Sequence, residues 1–200
     1  MLLAVTDLAA AARTIEERHG LASIEGGRHA GWGTANRVFP LGETYIELIT
    51  VVDPAEAAGS AFGSWVAASA TSEGKPLGWV VRTDDIDGVA TRLGLEVAAK
   101  SRKDASGRTL SWRVAGIEEA AAEPSLPFFV EWGDGTPHPG RAPVTHPVGA
   151  ARIASLELDA DRQRLADWLG SHRLPITVRE GGPAVASVIL SSASGEFTLA

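Results

Sequence analysis

Two glutamates stand in the middle of apolar segments, where a carboxylate is uncommon. Glu47 lies within the segment YIEL and Glu131 within FVEW. A buried, ionised carboxylate is costly unless it is paired or bound to a metal. Each residue could therefore act as a general base, as a ligand of a divalent metal, or as half of an ion pair. Strand arginines for such a pair are available at Arg37, Arg82 and Arg113.

The glycine-rich stretch before Glu47 carries further residues that could do chemistry. His29 could be a ligand, an acid/base group or a hydrogen-bonding loop residue. Trp32, Thr34 and Asn36 follow at alternating positions, so they can share one strand face and line a site. Thr34 and Asn36 would then orient a polar substrate, or else stabilise the glycine turn through bonds to the backbone.

Hydrophobic periodicity predicts the elements that must position these residues. A short strand over residues 2–5 is followed by a helix that Thr6 or Asp7 can cap and that Gly20 ends. Strands are predicted at 36–41 and 44–52, with a further short strand near 22–25. The predicted strand at 44–52 carries Glu47.

The same order of elements returns in the second part of the chain. A strand over 79–82 leads into a helix that Asp85 can cap and Gly94 can end. A hairpin over 95–100 and 108–114, turning at 104–107, precedes a last strand at 126–132. Aligning the two units places Glu47 and Glu131 at the same step, so both carboxylates are predicted to face one concave site. Trp79 begins the strand that would face this site, although tryptophan is more often a core residue.

A third unit of the same kind is predicted at the end of the chain. Alignment of its last hairpin puts Ala200 where the glutamate would be, so the first two units alone are expected to make the site. The predicted divisions are a first βαβββ module at 1–53, a connecting helix at 54–76, a second module at 77–134, a proline-rich connector at 135–149 and a third, βαβββ-like module at 150–200.

Composition narrows the classes of function. The net charge of −7 and the lack of a basic cluster argue against a nucleic-acid partner. The absence of cysteine excludes disulfides and thiolate catalysis. No apolar run is long enough to cross a membrane, and a cytoplasmic location is expected.

The chain resembles the vicinal-oxygen-chelate superfamily, and within it the glyoxalase-like domains. The stretch from 26 to 54, the segment LPFFVEW at 126–132 and the His-Pro pairs at 138–139 and 146–147 carry the resemblance. It implies an α+β fold in which two βαβββ modules form a half-open barrel around a small-molecule site. It also implies a divalent metal, with Glu47 and Glu131 as its last-strand ligands.

One part of that pattern is missing from this sequence. The resemblance places further metal ligands on the first strand of each module. In module one this position falls at or before Met1, and in module two at Leu77 or Gly78, which offer no ligand side chain. A native start upstream of Met1 would account for the first of these gaps.

These observations support three hypotheses of function. The leading one is a glyoxalase-like, small-molecule enzyme of lyase or isomerase type, metal-assisted if a metal binds. Its catalytic residues would be Glu47 and Glu131, and its substrate-binding residues His29, Trp32, Thr34, Asn36 and Trp79. The second is a metal-free, small-molecule binding protein of the bleomycin-resistance type. The third is an interaction scaffold in which the third module docks on its own barrel or on a second copy, forming a homodimer.

Overall fold

The first unit forms as the periodicity predicts. In the computed structural model, which describes residues 1–103 and 107–199, its elements are β1 (Leu2–Ala4), α1 (Leu8–His19), β2 (Ile24–His29), β3 (Thr34–Pro40) and β4 (Tyr45–Val51). The Asp7 carboxylate caps α1 by accepting bonds from the N–H groups of Ala9 and Ala10, and Gly20 ends the helix at φ 65°. The sheet order is β2-β3-β4-β1, with β1 parallel to β4.

The connector after the first unit is two short helices where one was predicted. These are α2 (Pro54–Ala58) and α3 (Ala61–Ser69). The break comes at Gly59, after which the Ser60 hydroxyl accepts a bond from the N–H of Gly63 and starts α3. Strand β5 (Lys75–Gly78) then pairs antiparallel with β1, which makes this sheet five-stranded.

The second unit repeats the order of the first. It comprises β6 (Val80–Arg82), α4 (Ile86–Leu93), β7 (Val97–Lys103), β8 (Thr109–Ala115), an added helix α5 (Ile117–Ala122) and β9 (Phe128–Trp132). Its sheet order, β6-β9-β8-β7, matches that of the first unit, with β6 parallel to β9. Residues 104–106 of the predicted hairpin turn lie outside the described residues.

The third unit keeps the element order but joins its strands differently. Its elements are β10 (Ala151–Asp159), α6 (Arg162–Leu169), β11 (Ile176–Arg179), β12 (Ala184–Ser192) and β13 (Gly195–Leu199). The first strand here pairs parallel with the second, giving the order β11-β10-β12-β13. Strand β13 therefore lies at an edge and not beside the first strand. The predicted role of Ala200 falls outside the described residues.

Two apolar clusters hold the three sheets together. The outer cluster joins α1 and the helix-facing sides of the first two sheets to the third unit, through residues such as Leu48, Phe129 and Leu158. The third unit thus docks on the outside of its own barrel. The inner cluster fills the space between the first two sheets, where Phe62 and Trp65 of α3 close one end. None of the described helices is long and apolar enough to cross a membrane.

The turn before β3 offers a test of this architecture, because Gly33 and Gly31 both have positive φ but different surroundings. A Cβ on Gly33 would lie 2.4 Å from the Ala57 nitrogen, whereas a Cβ on Gly31 would meet nothing within 4 Å. Backbone strain of about 1–3 kcal/mol applies to both alanine variants. We expect Gly33→Ala to lower the free energy of unfolding clearly more than Gly31→Ala, as measured by urea denaturation. Equal losses would contradict the close approach of α2 to this turn.

Candidate functional site

Glu47 is a buried carboxylate on the concave side of the first sheet. It is 9% exposed, and its Oε1 accepts a bond of 2.8 Å from Nδ2 of Asn36 on the neighbouring strand β3. The Asn36 Oδ1 accepts from the N–H of Gly27 at 2.8 Å, so both ends of this amide are engaged. Burial raises the pKa of Glu47 above its ordinary value, and the bond from Asn36 opposes that rise only in part.

His29 and Thr34 form a second polar pair beside Glu47. The His29 Nδ1 lies 3.1 Å from the Thr34 Oγ1, and both side chains are buried. Burial, reinforced by the positive charge of Arg102, lowers the pKa of His29 to about 3. The imidazole is therefore neutral at physiological pH and offers one N–H donor and one acceptor.

The second sheet supplies the opposite wall of this cavity. We call the space between the two concave faces the inner cavity; it has a volume of about 60 Å³. Its wall includes four of the five site residues predicted in the first unit, all except Thr34, together with other residues from both sheets. The polar and aromatic members are His29, Trp32, Asn36, Tyr45, Glu47, Phe62, Arg102, Trp112, Phe128 and Trp132.

Sequence reasoning missed the contribution of the second unit to the inner cavity. Lys100 and Arg102 stand two residues apart on β7 and so share one strand face. Lys100 lies over the Trp32 ring at 5.1 Å, and Arg102 donates from Nη1 to the carbonyl oxygen of Gly26. That alternation was the signal available in the sequence, and it places a guanidinium in the same cavity as Glu47.

Glu131 lies on the other face of its sheet and does not meet Glu47. Its Oε1 accepts from Nε and Nη2 of Arg113, at 3.0 and 2.6 Å, and its Oε2 accepts from the N–H of Ile86 at the start of α4. Arg113 also binds both carboxylate oxygens of Asp87 at 2.9 Å. This is the ion-pair alternative for Glu131, and the prediction that both acids face one concave site is wrong.

The error comes from the alignment of the last strands. In the first unit, Glu47 pairs with Leu2 of the first strand. In the second unit, the residue equivalent to Leu2 is Val80, which pairs with Phe128. The counterpart of Glu47 is therefore Phe128, three positions before Glu131. Because side chains alternate along a strand, a shift of three positions reverses the face. Val130, next to Glu131, lines the inner cavity in its place.

This geometry does not fit the metal ligands that the resemblance implies. Glu131 is engaged on the opposite face, so the cavity offers Glu47 and the neutral His29 imidazole as metal ligands, and it also contains the Arg102 guanidinium. A fixed positive charge disfavours a divalent cation beside it. Across residues 1–103 and 107–199, no three histidine, aspartate or glutamate side chains are grouped so as to hold a metal ion.

A second, larger cavity adjoins the inner one. This outer cavity of about 270 Å³ shares four wall residues with the inner cavity, namely Tyr45, Val80, Val130 and Trp132. Trp79 lines it, with its Nε1 donating to the carbonyl oxygen of Ser125. The third unit, expected to take no part, contributes Ile153, Leu156, Leu174, Pro175 and Ile176 to this wall.

The histidines of the proline-rich connector, His138 and His146, order the chain around these cavities. The His146 Nδ1 accepts from the N–H of Ala22, and its Nε2 lies 2.6 Å from the carbonyl oxygen of Pro40. The His138 Nδ1 accepts from the N–H of Gly140, and its ring meets the edges of Tyr45 and Trp132. His138 thus packs against Tyr45 and Trp132, the two aromatic residues that line both cavities.

A family model described as a glyoxalase-like domain matches residues 1–173. The chain belongs to the glyoxalase-like domain family. This match confirms the resemblance to the vicinal-oxygen-chelate superfamily and extends it beyond the second module into the third. No curated protein matches the chain.

The chain is also similar to solved structures. A hypothetical protein from Staphylococcus aureus is 17% identical, with a TM-score of 0.72 over 97% of this chain and 90% of that one. Methylmalonyl-CoA epimerase from Mycobacterium tuberculosis is 15% identical, with a TM-score of 0.45 over 69% of this chain and 85% of that one. A Streptomyces coelicolor methylmalonyl-CoA epimerase variant in complex with 2-nitronate-propionyl-CoA is 16% identical, with a TM-score of 0.43 over 69% and 94%. The first of these similarities shows that the fold extends through the third unit.

The burial of Glu47 predicts an unusual dependence of stability on pH. Because its folded-state pKa is raised, its protonated form is favoured by folding, so stability is full below the ordinary glutamate pKa of about 4.3 and is lost as the pH rises to the raised value. The variant Glu47→Gln has no such titration. We expect wild type to lose stability relative to Glu47→Gln over that window in urea unfolding. Parallel profiles would contradict a raised pKa.

For Glu131 we expect the opposite dependence of stability on pH, so this residue serves as the matched comparison. The N–H of Ile86, and then Arg113, hold the pKa of Glu131 below its usual range. Its stabilisation is present above the ordinary glutamate pKa and is lost as the pH falls through the folded-state value. We expect Glu131→Gln to cost about 1–2 kcal/mol at neutral pH and to flatten the acid limb of the stability profile. A variant as stable as wild type at pH 7 would argue against the ion pair.

Proposed function

We propose that this glyoxalase-like protein is an enzyme of isomerase or lyase type, in which Glu47 is the general base. The observation that carries the proposal is a buried carboxylate with a raised pKa on the wall of a cavity. A carboxylate whose pKa is raised is a stronger proton acceptor in its ionised form. Removal of a proton from the carbon beside a carbonyl group is the reaction that such a base suits.

Proton abstraction leaves negative charge on the substrate oxygen, and the cavity offers groups that stabilise it. Tyr45 lies two residues before Glu47 on the same strand face, and burial raises the pKa of its phenol, so it remains an O–H donor. Arg102 brings a positive charge to the same cavity and is anchored to the carbonyl oxygen of Gly26. Fixed donors in a dry cavity are the usual source of transition-state stabilisation.

Asn36 acts on the substrate indirectly, through Glu47. His29 acts as a neutral hydrogen-bonding group. The bond from Asn36 fixes the rotamer of Glu47, while Gly27 fixes Asn36 in turn. Neutral His29, held by Thr34, can donate to or accept from a polar substituent. Glu47 can then return the proton on the same side, to another carbon of a conjugated enolate, which gives an isomerase, or the enolate expels a leaving group, which gives a lyase.

The alternative is a binding protein that holds a small molecule without turnover. It is favoured by the separation of the two acids, since the remaining inner cavity is walled largely by aromatic rings such as Trp32, Trp112 and Trp132. Aromatic walls with a few polar groups suit ligand capture as well as catalysis. Association of two copies stays a prediction from the sequence.

Exchange of substrate protons with solvent distinguishes enzyme from binding protein. A panel of small 2-oxo acids and malonate half-esters is incubated in deuterated buffer with the protein, and the loss of the proton beside the carbonyl group is followed by NMR. We expect exchange that speeds up as the pH rises through the pKa of Glu47. Glu47→Gln should slow it by about 10² or more, because a positioned base supplies that much.

The matched control is Glu131→Gln, which removes an equivalent charge from the outer face and should retain exchange once its stability is allowed for. Exchange that persists in Glu47→Gln would overturn the role of this residue. Binding of a panel member in calorimetry with no exchange above buffer would favour the binding protein.

A further inference from the structure

The outer cavity is built from all three units and shares part of its wall with the inner cavity. Its wall is formed at the seam between the first two sheets, by residues before β4 and along β6, and is completed by the third sheet. The four wall residues shared with the inner cavity include Tyr45, two positions from Glu47. A molecule that has its reacting group at Glu47 and passes between these shared side chains would extend toward the third unit.

The wall beyond Tyr45 is mostly apolar. Trp79 and Val81 form one side, and Ile153, Leu156, Leu174 and Ile176 form the other. Leu156 is buried, and the other three residues of the third unit pack against the outer cluster, so this side of the cavity is held in place by core contacts. The charged groups of the wall, Glu43 and Arg82, stand together, with 3.9 Å between the Arg82 Nη1 and the Glu43 Oε2.

We propose that the ligand of this protein is an elongated molecule with a carbonyl-containing polar head in the inner cavity and an unbranched apolar tail in the outer one. The volume of 270 Å³ equals roughly nine water molecules at about 30 Å³ each, which accommodates a chain of several carbons. The third unit is then the part of the chain that selects the tail. This inference rests on the proposed function only for the identity of the head group.

Calorimetric binding of a homologous series tests the inference. The probes are straight-chain 2-oxo acids from pyruvate to 2-oxodecanoate, titrated into the full-length protein. We expect the dissociation constant to fall about fourfold for each methylene that enters the apolar cavity, and to level off once the cavity is full. An affinity independent of chain length, or no binding by any member at millimolar concentration, would overturn the inference.

Variants of the third unit locate the tail. Leu174 precedes β11, so Leu174→Trp can fill the cavity without disturbing a strand, and Ile176→Trp is a second filling variant. Both should weaken the longest acids at least tenfold and leave pyruvate unchanged. Thr177→Trp, an exposed neighbour on the other strand face, is the matched control and should bind like wild type. Chain-length dependence that survives both filling variants would place the tail elsewhere and refute the proposal.

The result is separable from the test of catalysis. Glu47→Gln should keep the dependence on chain length, because that variant alters only the head site. Chain-length dependence without proton exchange would sustain the tail site and defeat the proposed enzyme. Proton exchange on pyruvate, with affinities that do not change with chain length, would sustain the proposed enzyme and defeat the tail site.

Discussion

The central strands of the first two sheets present apolar side chains on both faces, and this constraint governs the rest of the molecule. One face of each sheet meets the inner cluster and the other meets the outer cluster that binds the third unit. A polar side chain on such a strand is tolerated only where a partner compensates its burial. Glu47 finds Asn36 on the inner side, and Glu131 finds Arg113 and the start of α4 on the outer side. The two acids are thus two different solutions to the same problem.

The elements of the fold were largely predictable, because their signals are local. Asp7 and Asp85 cap helices, Gly20 and Gly94 end them, and the order of elements in both barrel units follows from periodicity. The facing of the acids was not predictable in the same way. Strands buried on both sides have no polar alternation to fix their register, so FFVEW can be aligned with the first unit at either parity. Only the pairing of β6 with β9 decides it.

The cavities also depend on contacts that are distant along the chain. Arg102 reaches Gly26 across the two units, and Tyr45 meets His138 of the connector. The third unit reads as a repeat in sequence, yet its first strand pairs with its second and its sheet closes the outer cavity. The spacing of residues in the sequence does not indicate that the third sheet covers the gap between the first two. The residues of the first unit, His29, Thr34, Asn36 and Glu47, were found because they lie close together in sequence, on the successive strands β2, β3 and β4.

The first two units share the same strand order but carry different side chains at equivalent positions of the site. Phe128 occupies in the second unit the place that Glu47 holds in the first, so the cavity contains one carboxylate where a symmetric site would contain two. Two facing carboxylates repel each other and call for a cation between them. With one of them replaced by an aromatic ring, the charge to be balanced is a single one, and the guanidinium of Arg102 is the positive group in the same cavity. A lone desolvated base opposite a fixed positive charge is an arrangement suited to forming and holding an enolate, which is why the proposed chemistry assigns the base to the first unit and the charge stabilisation to the second.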